Sequence, residues 1–354
     1  MTDSLREKIQ AWDGESVVVS YDAPTGTWMF IAIHDTRLGP AIGGTRMKTY
    51  PSPADGLLDA LRLGKGMTYK WAGVGIPFGG GKAVLATPGP LDAEARNGLL
   101  DRYGARLASL QGTFRTGVDL GTTPEDMLRV DRGAGTVMGI TDGHPEDPGP
   151  YTALGVFVGM RAAVARVFGD GSFSGRTVLV QGVGDVGFPL AAMLVDAGAT
   201  LLVSDIDEKA VSRAVARFGA TPVAPDRVYD TDVDVYAPCA IGATVNPDTV
   251  ARLRCRIVAG SANNQLLTDD QADALHERGI LYAPDYLINA GGAVAFGRMA
   301  DGIRDRGRLE AEVGEIERTL ERTFAEAAEA GESPLHAARR RAERFLEDRA
   351  ARGG

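Results

Sequence analysis

The chain has 354 residues, which predicts two domains, because a single hydrophobic core rarely grows to serve so long a chain. Its 44% hydrophobic and 24% charged residues are ordinary values for a soluble protein. The net charge of −9 argues against nucleic acid or an anionic membrane surface as a partner. The N-terminal segment is polar and no long apolar run follows, so we expect no signal peptide, no membrane span and a cytoplasmic location. The two cysteines lie outside any CxxC or Cys/His spacing, which argues against a disulfide scaffold and a metal site.

The first half of the chain mixes strand-like and helix-like segments. Residues 15–33 alternate apolar and polar side chains around a turn, which predicts a β-hairpin. Apolar residues at helical spacing predict helices over residues 53–69 and 92–110. Between them, WAGVGIPFGGGKAVLA runs glycines into a short strand. Thr123 is followed by a proline and then by an acid three residues after it, which predicts the start of another helix.

The second half has a regular α/β pattern. The Pro-, Gly- and acid-rich residues 141–151 mark a domain boundary. A helix is predicted over 154–167 and a strand over 177–181, after which strands and helices alternate. Beyond about residue 305 the pattern is helical, with one apolar face. The expected fold is therefore α/β with two domains, the second a Rossmann-type, doubly wound dinucleotide-binding domain.

A glycine fingerprint indicates where a dinucleotide binds. Gly182, Gly184 and Gly187 form GxGxxG between an apolar strand and a helix, and Asp205 closes the next strand. The glycines permit a tight turn, close approach of the pyrophosphate and close packing of helix on strand. Asp205 can accept hydrogen bonds from the adenosine ribose and would repel the extra phosphate of NADP, and the sequence places no arginine nearby. NAD is therefore the expected cofactor.

The lysines point to a second reactive cluster. The chain has only six lysines among 38 Lys and Arg residues, and three of them fall between positions 65 and 82. Lys70 and Lys82 flank a glycine-rich stretch, and Asp119 lies in the glycine-bounded segment GVDLG. One ammonium could hold a carboxylate while the other, with its pKa lowered by burial, acts as acid and base. The alternative is that each lysine is a surface residue and the glycines form a turn.

Together these segments resemble the glutamate/leucine/phenylalanine/valine dehydrogenase family, and within it the leucine, valine and phenylalanine branch. The matching segments are LGPAIGGTR, GMTYKWAGVGIPFGGGKAV, VDLGTTPEDM, QGVGDVG, DVYAPCAIG, GSANNQ and ILYAPDYLINAGGAV. They span roughly residues 38 to 296, so the resemblance covers both predicted domains. It implies reversible oxidative deamination, in which an L-amino acid, NAD⁺ and water give a 2-oxo acid, ammonium and NADH.

The resemblance also implies a division of labour between the domains. Residues 1–142 would bind the substrate, carry the catalytic groups and form the oligomer, and residues 143–325 would bind NAD. The C-terminal helix, about 326–354, would pack back on the first domain. Relatives form homo-oligomers, and the N-terminal hairpin is a plausible interface.

The same resemblance assigns roles to individual residues. Lys82 would be the general base that activates water, Asp119 would pair with the substrate amino group, and Lys70 would bind the substrate carboxylate. Asn264 would orient substrate and cofactor. Gly44 and Met67 would line the substrate site. The residues expected to contact the cofactor are Thr152, Gly182, Val183, Gly184, Asp185, Val186, Gly187, Asp205, Cys239, Ala240 and Asn289. We interpret Cys239 as a small packing residue rather than a reactive thiol.

The substrate side chain is expected to be hydrophobic. Glutamate-specific relatives place a lysine just before the double glycine, where this chain has Ile42, and an apolar residue cannot neutralise a buried carboxylate. By resemblance, the pocket would also include Gly117, Ala293 and Phe296. A bulky Ile42 is typical of leucine-type enzymes, whereas small residues at 117 and 293 are typical of phenylalanine-type enzymes. Branched-chain and aromatic substrates both stay open.

Two other functions compete with this interpretation. A non-catalytic NAD-binding sensor would be expected to lack Lys82 or Asp119, and both are present. An NAD-dependent dehydrogenase of a different small substrate, such as a 2-hydroxy acid, usually needs a histidine near an arginine. None of the four histidines lies within the glycine-rich segments that would hold the substrate.

Overall fold

The computed structural model describes residues 3–353, and the chain divides into two compact units. The first unit consists of the chain up to Asp147 together with the residues from Ala342 onward. The second unit consists of Pro148–Arg341. The sequence placed the boundary after residue 142 and the return at about residue 326. The difference arises because residues 140–145 form a small hairpin that belongs to the first unit, and because the long helix before residue 330 packs within the second.

The first unit is built around a mixed sheet. Its elements are α1 (Asp3–Trp12), β1 (Ser16–Asp22), β2 (Thr27–Asp35), β3 (Ala41–Ile42), β4 (Thr45–Thr49), α2 (Pro53–Gly73), β5 (Gly79–Thr87), α3 (Ala93–Ala108), β6 (Phe114–Arg115), α4 (Pro124–Ala134), β7 (Ile140–Thr141) and β8 (His144–Pro145). The sheet order is β1-β2-β5-β3-β6, and β4 also pairs with β5. The predicted hairpin is confirmed as the antiparallel pair of β1 and β2. Every residue of β5 is buried, so the strand that starts at the glycine run forms the centre of this unit.

The helices of the first unit begin where their sequences indicate. The predicted start at Thr123 is confirmed as a capping box, in which Thr123 and Asp126 satisfy each other's backbone N–H groups. The helix α2 is capped by Ser52, whose side chain accepts a hydrogen bond from the Asp55 N–H group. It packs along β5 and buries Leu57, Leu61 and other apolar residues of that face. A helix is thereby fixed directly beside the glycine-rich strand.

The second unit is a parallel α/β layer structure. Its elements are α5 (Gly149–Phe168), β9 (Thr177–Gln181), α6 (Gly187–Asp196), β10 (Thr200–Ser204), α7 (Glu208–Phe218), β11 (Thr221–Pro222), a 3-10 helix (Pro225–Asp230), β12 (Val235–Pro238), α8 (Pro247–Val250), β13 (Ile257–Val258), α9 (Asp270–Glu277), β14 (Leu281–Tyr282), α10 (Asp285–Ile288), α11 (Gly291–Ala300), α12 (Arg306–Ala330) and α13 (Pro334–Gly353), which ends in the first unit. The sheet order is β11-β10-β9-β12-β13-β14, and each pairing is parallel.

This strand order confirms the predicted Rossmann-type, doubly wound fold. With β9 counted as the first strand, the order is 3-2-1-4-5-6, and it reverses between β9 and β12. Ligands of such sheets bind outside the carboxyl ends of the strands at this reversal. The loop that follows β9 is the GxGxxG segment, so the fold places the fingerprint at the expected edge of the sheet.

One helix qualifies the expectation that no segment could span a membrane. The helix α5 has 20 residues and is long and apolar enough by length and composition alone. Half of its most apolar stretch is buried within the protein, and it packs against α11 and α12, as the core helix of a globular unit does. Its partner α12 buries the predicted apolar face of Val313, Ile316, Leu320 and Phe324.

Candidate functional site

The predicted pair of Lys82 and Asp119 is brought together in the first unit. Lys82 lies on β5, and Asp119 lies in the loop between β6 and α4. The Lys82 ammonium nitrogen donates a hydrogen bond to Asp119 Oδ1 over 2.7 Å. The Lys82 side chain is only 4% exposed and the Asp119 side chain 13%, so this ion pair is nearly shut off from solvent. The alternative of surface lysines beside a simple turn is wrong for Lys82.

Glycines allow the segments around this pair to approach one another closely. A side chain at Gly44 would bring its Cβ to 2.6 Å from the Val118 carbonyl oxygen and 2.9 Å from Asp119 Cβ. At Gly43 the Cβ would lie 1.8 Å from the Gly81 carbonyl oxygen and 3.2 Å from Met67 Cγ. Any other residue at these two positions would push β5 or the 117–121 loop away. The glycine pattern therefore has a structural cause that serves the reactive cluster.

The structure adds a residue that the sequence interpretation missed. Arg46 on β4 donates from Nε to Asp119 Oδ2 over 2.9 Å, and from Nη1 to Asp59 Oδ2 over 3.0 Å. Tyr50 donates its hydroxyl hydrogen to the same Asp59 oxygen over 2.6 Å. Arg46 stands two residues after Gly44 in the segment GGTR, and that position beside a glycine pair was the signal available in the sequence.

Burial and charge set the proton affinities of the cluster. Burial is the largest influence on Lys82 and lowers its pKa, and the like charge of Arg46 adds to this, against the opposing effect of Asp119. Burial alone would raise the pKa of Asp119, but the charges of Lys82 and Arg46 outweigh it and hold that pKa well below its ordinary value. The result is a lysine with a lowered pKa beside a carboxylate that stays ionised.

Four other predicted substrate residues lie in the same unit. Met67 and Lys70 stand three residues apart on α2, which places them on one face of the helix. Ile42 is 3% exposed on β3, and its carbonyl oxygen accepts a hydrogen bond from Trp71 Nε1 over 3.1 Å. The Gly117 carbonyl oxygen accepts from the Thr45 N–H group over 2.8 Å, next to the Asp119 loop.

The remaining substrate candidates belong to the second unit. Asn264 adopts a left-handed conformation with φ of 53°, and its carbonyl oxygen accepts from the Ala243 N–H group over 2.7 Å. Ala293 is half-buried and Phe296 buried on α11. The sequence could not assign a direction to the Phe296 ring, and in the structure Phe296 is 8% exposed.

The glycine loop of the second unit has the geometry that a dinucleotide requires. Gly182 has φ of +97°, a conformation that favours glycine. A Cβ at Gly187 would lie 1.8 Å from the Gly182 carbonyl oxygen, so this position admits no side chain. Around Gly184, in contrast, the described chain leaves at least 4 Å of open space. The helix α6 starts at Gly187, and over the described residues no side chain caps it. Its N-terminus can therefore receive a pyrophosphate.

The acid at the end of β10 braces this loop. Asp205 Oδ2 accepts a hydrogen bond from the Val183 N–H group over 2.8 Å, and Oδ1 accepts from the Asp207 N–H group over 3.0 Å. The expectation that no arginine lies nearby is wrong. Arg213 of α7 folds back over the Phe188 ring, and its Nη2 lies 3.3 Å from the Val183 carbonyl oxygen. Arg213 stands eight residues after Asp205, and the search for an arginine directly beside Asp205 overlooked it.

The other predicted cofactor residues follow one another around the same edge of the sheet. Gly182 lies against Ala240, because a Cβ there would be 2.8 Å from Ala240 Cβ. Asn289 Nδ2 donates to the Ser261 carbonyl oxygen over 3.0 Å and to Asn263 Oδ1 over 2.8 Å. Asn289 is 4% exposed, and its Oδ1 has no hydrogen-bond partner within residues 3–353, so it can accept from a ligand amide.

Four further predicted cofactor residues lie in the second unit. Thr152 lies against Gly291 and Gly292 at the start of α11, and its hydroxyl donates to the Pro148 carbonyl oxygen over 2.9 Å. Cys239 is half-buried, and burial raises the pKa of its thiol, which disfavours the reactive thiolate. Asp185 is exposed in the loop, and Val186 is the residue before α6. The residues present therefore fit a dinucleotide along the carboxyl ends of β9, β10 and β12.

Comparison with known proteins identifies the same family in both halves of the chain. The family model "Glu/Leu/Phe/Val dehydrogenase, dimerisation domain" matches residues 20–132, and "Glutamate/Leucine/Phenylalanine/Valine dehydrogenase" matches residues 205–343. Leucine dehydrogenase of Bacillus cereus is 46% identical over 297 residues, which cover 83% of this chain and 80% of that protein.

Two more similarities extend over nearly the whole length. Phenylalanine dehydrogenase of Lysinibacillus sphaericus is 38% identical over 347 residues, covering 96% of this chain and 90% of that one. The crystal structure of L-tryptophan dehydrogenase from Nostoc punctiforme aligns with a TM-score of 0.79 at 38% identity, covering 97% of this chain and 99% of that chain.

Proposed function

The chain belongs to the glutamate/leucine/phenylalanine/valine dehydrogenase family, in its leucine and phenylalanine branch, and is an amino acid dehydrogenase; we propose that it uses NAD to deaminate a hydrophobic L-amino acid oxidatively. The observation that carries the proposal is the buried Lys82–Asp119 pair at 2.7 Å. The pKa of Lys82 is lowered, which favours its neutral form, and Asp119 remains an anion. This is the combination that water attack on an imine requires.

The first unit then acts on the substrate. The Lys70 ammonium binds the substrate carboxylate, and Asp119 accepts a hydrogen bond from the substrate amino group. Neutral Lys82 takes a proton from water as the water oxygen bonds to the imine carbon. Lys82 returns that proton to the amino nitrogen. As the carbon–nitrogen bond breaks, the hydroxyl proton passes to the departing nitrogen, so the carbonyl forms and ammonium leaves. Over the cycle, the amino acid, NAD⁺ and water become the 2-oxo acid, ammonium, NADH and one proton.

The second unit holds the cofactor, which supplies the hydride acceptor when bound. Gly182, Gly184 and the N-terminus of α6 receive the pyrophosphate. Asp205 faces the adenosine ribose and favours NAD over NADP by repelling a 2′-phosphate, even with Arg213 near the loop. Asn289 offers its free acceptor oxygen to the nicotinamide amide.

The proposed substrate class rests on the apolar position before the glycine pair. Ile42 is buried, so a substrate side-chain carboxylate beside it would lose its water without gaining a partner. Leucine and phenylalanine dehydrogenases among the relatives support an apolar side chain. Both branched-chain and aromatic amino acids belong to the proposed class, and Gly117, Ala293 and Phe296 are the positions that decide between them.

We also propose that the enzyme is a cytoplasmic homo-oligomer. The strand β1 lies at the edge of the first sheet, and the hairpin exposes Val19, Tyr21 and Trp28. An exposed apolar edge strand is a surface that a second copy can cover.

The test is NADH formation from each standard L-amino acid, with NADP and the D-enantiomer of the best substrate as controls. The proposal expects turnover with a small set of apolar L-amino acids, faster with NAD than with NADP. NAD binding without turnover of any amino acid would favour a sensor. Turnover of a 2-hydroxy acid with no need for ammonium in the reverse direction would favour a different dehydrogenase.

A further inference from the structure

A chain of buried charges continues beyond the reactive pair. Lys82 contacts Asp119 over 2.7 Å, Asp119 contacts Arg46 over 2.9 Å, and Arg46 contacts Asp59 over 3.0 Å. Tyr50 closes the chain with a hydrogen bond of 2.6 Å to Asp59. The charges alternate in sign, and the Arg46 and Asp59 side chains are only 14% and 21% exposed. Such a network costs desolvation energy, which the attraction between its charges offsets only where hydrogen bonds also satisfy the buried groups, as they do here.

We propose that Arg46 is a positioning residue for the deamination reaction, one that holds the Asp119 carboxylate in a fixed orientation opposite Lys82. Asp59 and Tyr50 in turn hold the Arg46 guanidinium. The inference rests on the proposed roles of Lys82 and Asp119 and extends them to the residues behind the pair.

The bonding pattern explains why an arginine stands here. Each Asp119 oxygen has one cationic partner, Oδ1 with Lys82 and Oδ2 with Arg46, so rotation of the carboxylate would break both contacts. Arg46 uses Nε for Asp119 and Nη1 for Asp59, two donors on one rigid plane. A lysine would carry the same charge without this fixed fork. Position and charge can therefore be separated by substitution.

Arg46 also acts on Lys82 through its charge. The charged groups that act on Lys82 are Asp119 from the loop after β6, Arg46 from β4 and Asp59 from α2. Besides burial, Arg46 lowers the pKa of Lys82, whereas Asp119 and Asp59 raise it. Arg46 thus offsets part of the increase in the Lys82 pKa that its partner Asp119 causes.

The experiment compares Arg46→Gln, Arg46→Lys and Asp59→Asn with the wild type. The first readout is the pH profile of kcat and kcat/KM for deamination. The second is an NMR titration of Lys82 in protein labelled at the lysine ε-carbon, which is feasible because the chain has only six lysines. The Lys82 signal is assigned by its loss in Lys82→Arg.

The three variants are expected to change different properties of the enzyme. Arg46→Gln removes a like charge, so Lys82 titrates at higher pH and the rising limb of kcat/KM moves the same way. Asp59→Asn removes an opposite charge and moves both to lower pH. Arg46→Lys keeps the charge, so the limb stays while kcat falls by roughly 10–100-fold from misplacement of Asp119.

A merely structural Arg46 gives a different result. Activity would then fall with no change in the pH limb or in the Lys82 titration, and Arg46→Lys would restore kcat; this outcome overturns the inference. If Arg46→Gln does not fold, two results still test the inference. They are the shift of the Lys82 titration to lower pH in Asp59→Asn and the loss of kcat in Arg46→Lys. A wild type that turns over no amino acid refutes the proposed function alone, because the NMR titrations test the network without turnover.

Discussion

Replacing Asp119 with alanine leaves two buried cations, Lys82 and Arg46, without the carboxylate between them. Breaking a buried ion pair by removing one partner costs about 3–5 kcal/mol. Arg46 keeps Asp59, so most of the cost falls on Lys82, which is 4% exposed. Lys82 can escape by losing its proton. The ordinary pKa of lysine is 10.5, three units above pH 7.5. Each unit corresponds to about 1.4 kcal/mol, so deprotonating Lys82 at pH 7.5 costs at most about 4 kcal/mol. We therefore expect a loss of about 3–4 kcal/mol in the free energy of unfolding.

Deprotonation of Lys82 also sets the sign with which the stability loss in Asp119→Ala depends on pH. Removal of Asp119 takes away the charge that raises the Lys82 pKa, so the folded variant releases this proton at lower pH than the folded wild type. Between those two folded pKa values the variant gains stability with rising pH while the wild type does not. The difference between the two proteins therefore shrinks as the pH rises from the folded pKa of Lys82 in the variant to that in the wild type, by at most about 1.4 kcal/mol per pH unit.

Urea unfolding of wild type and Asp119→Ala at pH 7.5 and 9.5 measures both quantities. The matched control is Asp101→Ala, which breaks a surface ion pair with Arg129 at 2.6 Å and is expected to cost far less, equally at both pH values. A loss in Asp119→Ala below about 1 kcal/mol at pH 7.5, or one that grows as the pH rises, would refute the reasoning from a buried pair.

Three other substitutions test separate parts of the structure. Gly187→Ala would place a Cβ 1.8 Å from a carbonyl oxygen of the glycine loop, so NAD affinity measured by fluorescence quenching should fall at least about tenfold, while Gly314→Ala, with open space around it, should bind normally. Asp205→Ala should narrow the preference for NAD over NADP in kcat/KM, and an unchanged ratio would contradict its assigned role. In the wild type, Arg102 lowers the pKa of the buried Asp22 carboxyl through a hydrogen bond of 2.8 Å. Asp22→Asn removes this carboxylate and with it the ion pair. Since a depressed carboxyl pKa stabilises the fold above its unfolded value of about 3.8, the variant should be less stable at pH 6, and this gap should close as pH falls through the folded pKa. A gap that persists at pH 2 would rule out the ion pair as its cause.

Features set by neighbouring residues could be predicted from the sequence. The glycine fingerprint depends on spacing along a strand, a turn and a helix, and the predicted strand 177–181 is β9 itself. The cap at Thr123 depends on its own proline and acid within three residues. In both cases the physical cause lies within one or two turns of chain, so the pattern contains it.

Features set by tertiary contact could not be predicted. Arg46 and Asp59 are thirteen residues apart on a strand and a helix, and only the packing of α2 on the sheet joins them. Arg213 follows Asp205 by only eight residues, but the fold of α7 returns it to the loop at Val183, thirty residues before it, and no local pattern shows that contact. Strands of two residues, such as β3, carry no periodicity that a sequence pattern could show.

The central claim is that Lys82 is the base of an oxidative deamination, and one measurement tests it most directly. Purified wild type and Lys82→Ala are mixed with NAD⁺ and the best apolar L-amino acid, and NADH and ammonium are both quantified. The account predicts equal amounts of the two products from the wild type and at least about a 100-fold lower rate from the variant, with NAD binding retained. An active Lys82→Ala, or NADH without ammonium from the wild type, would contradict it.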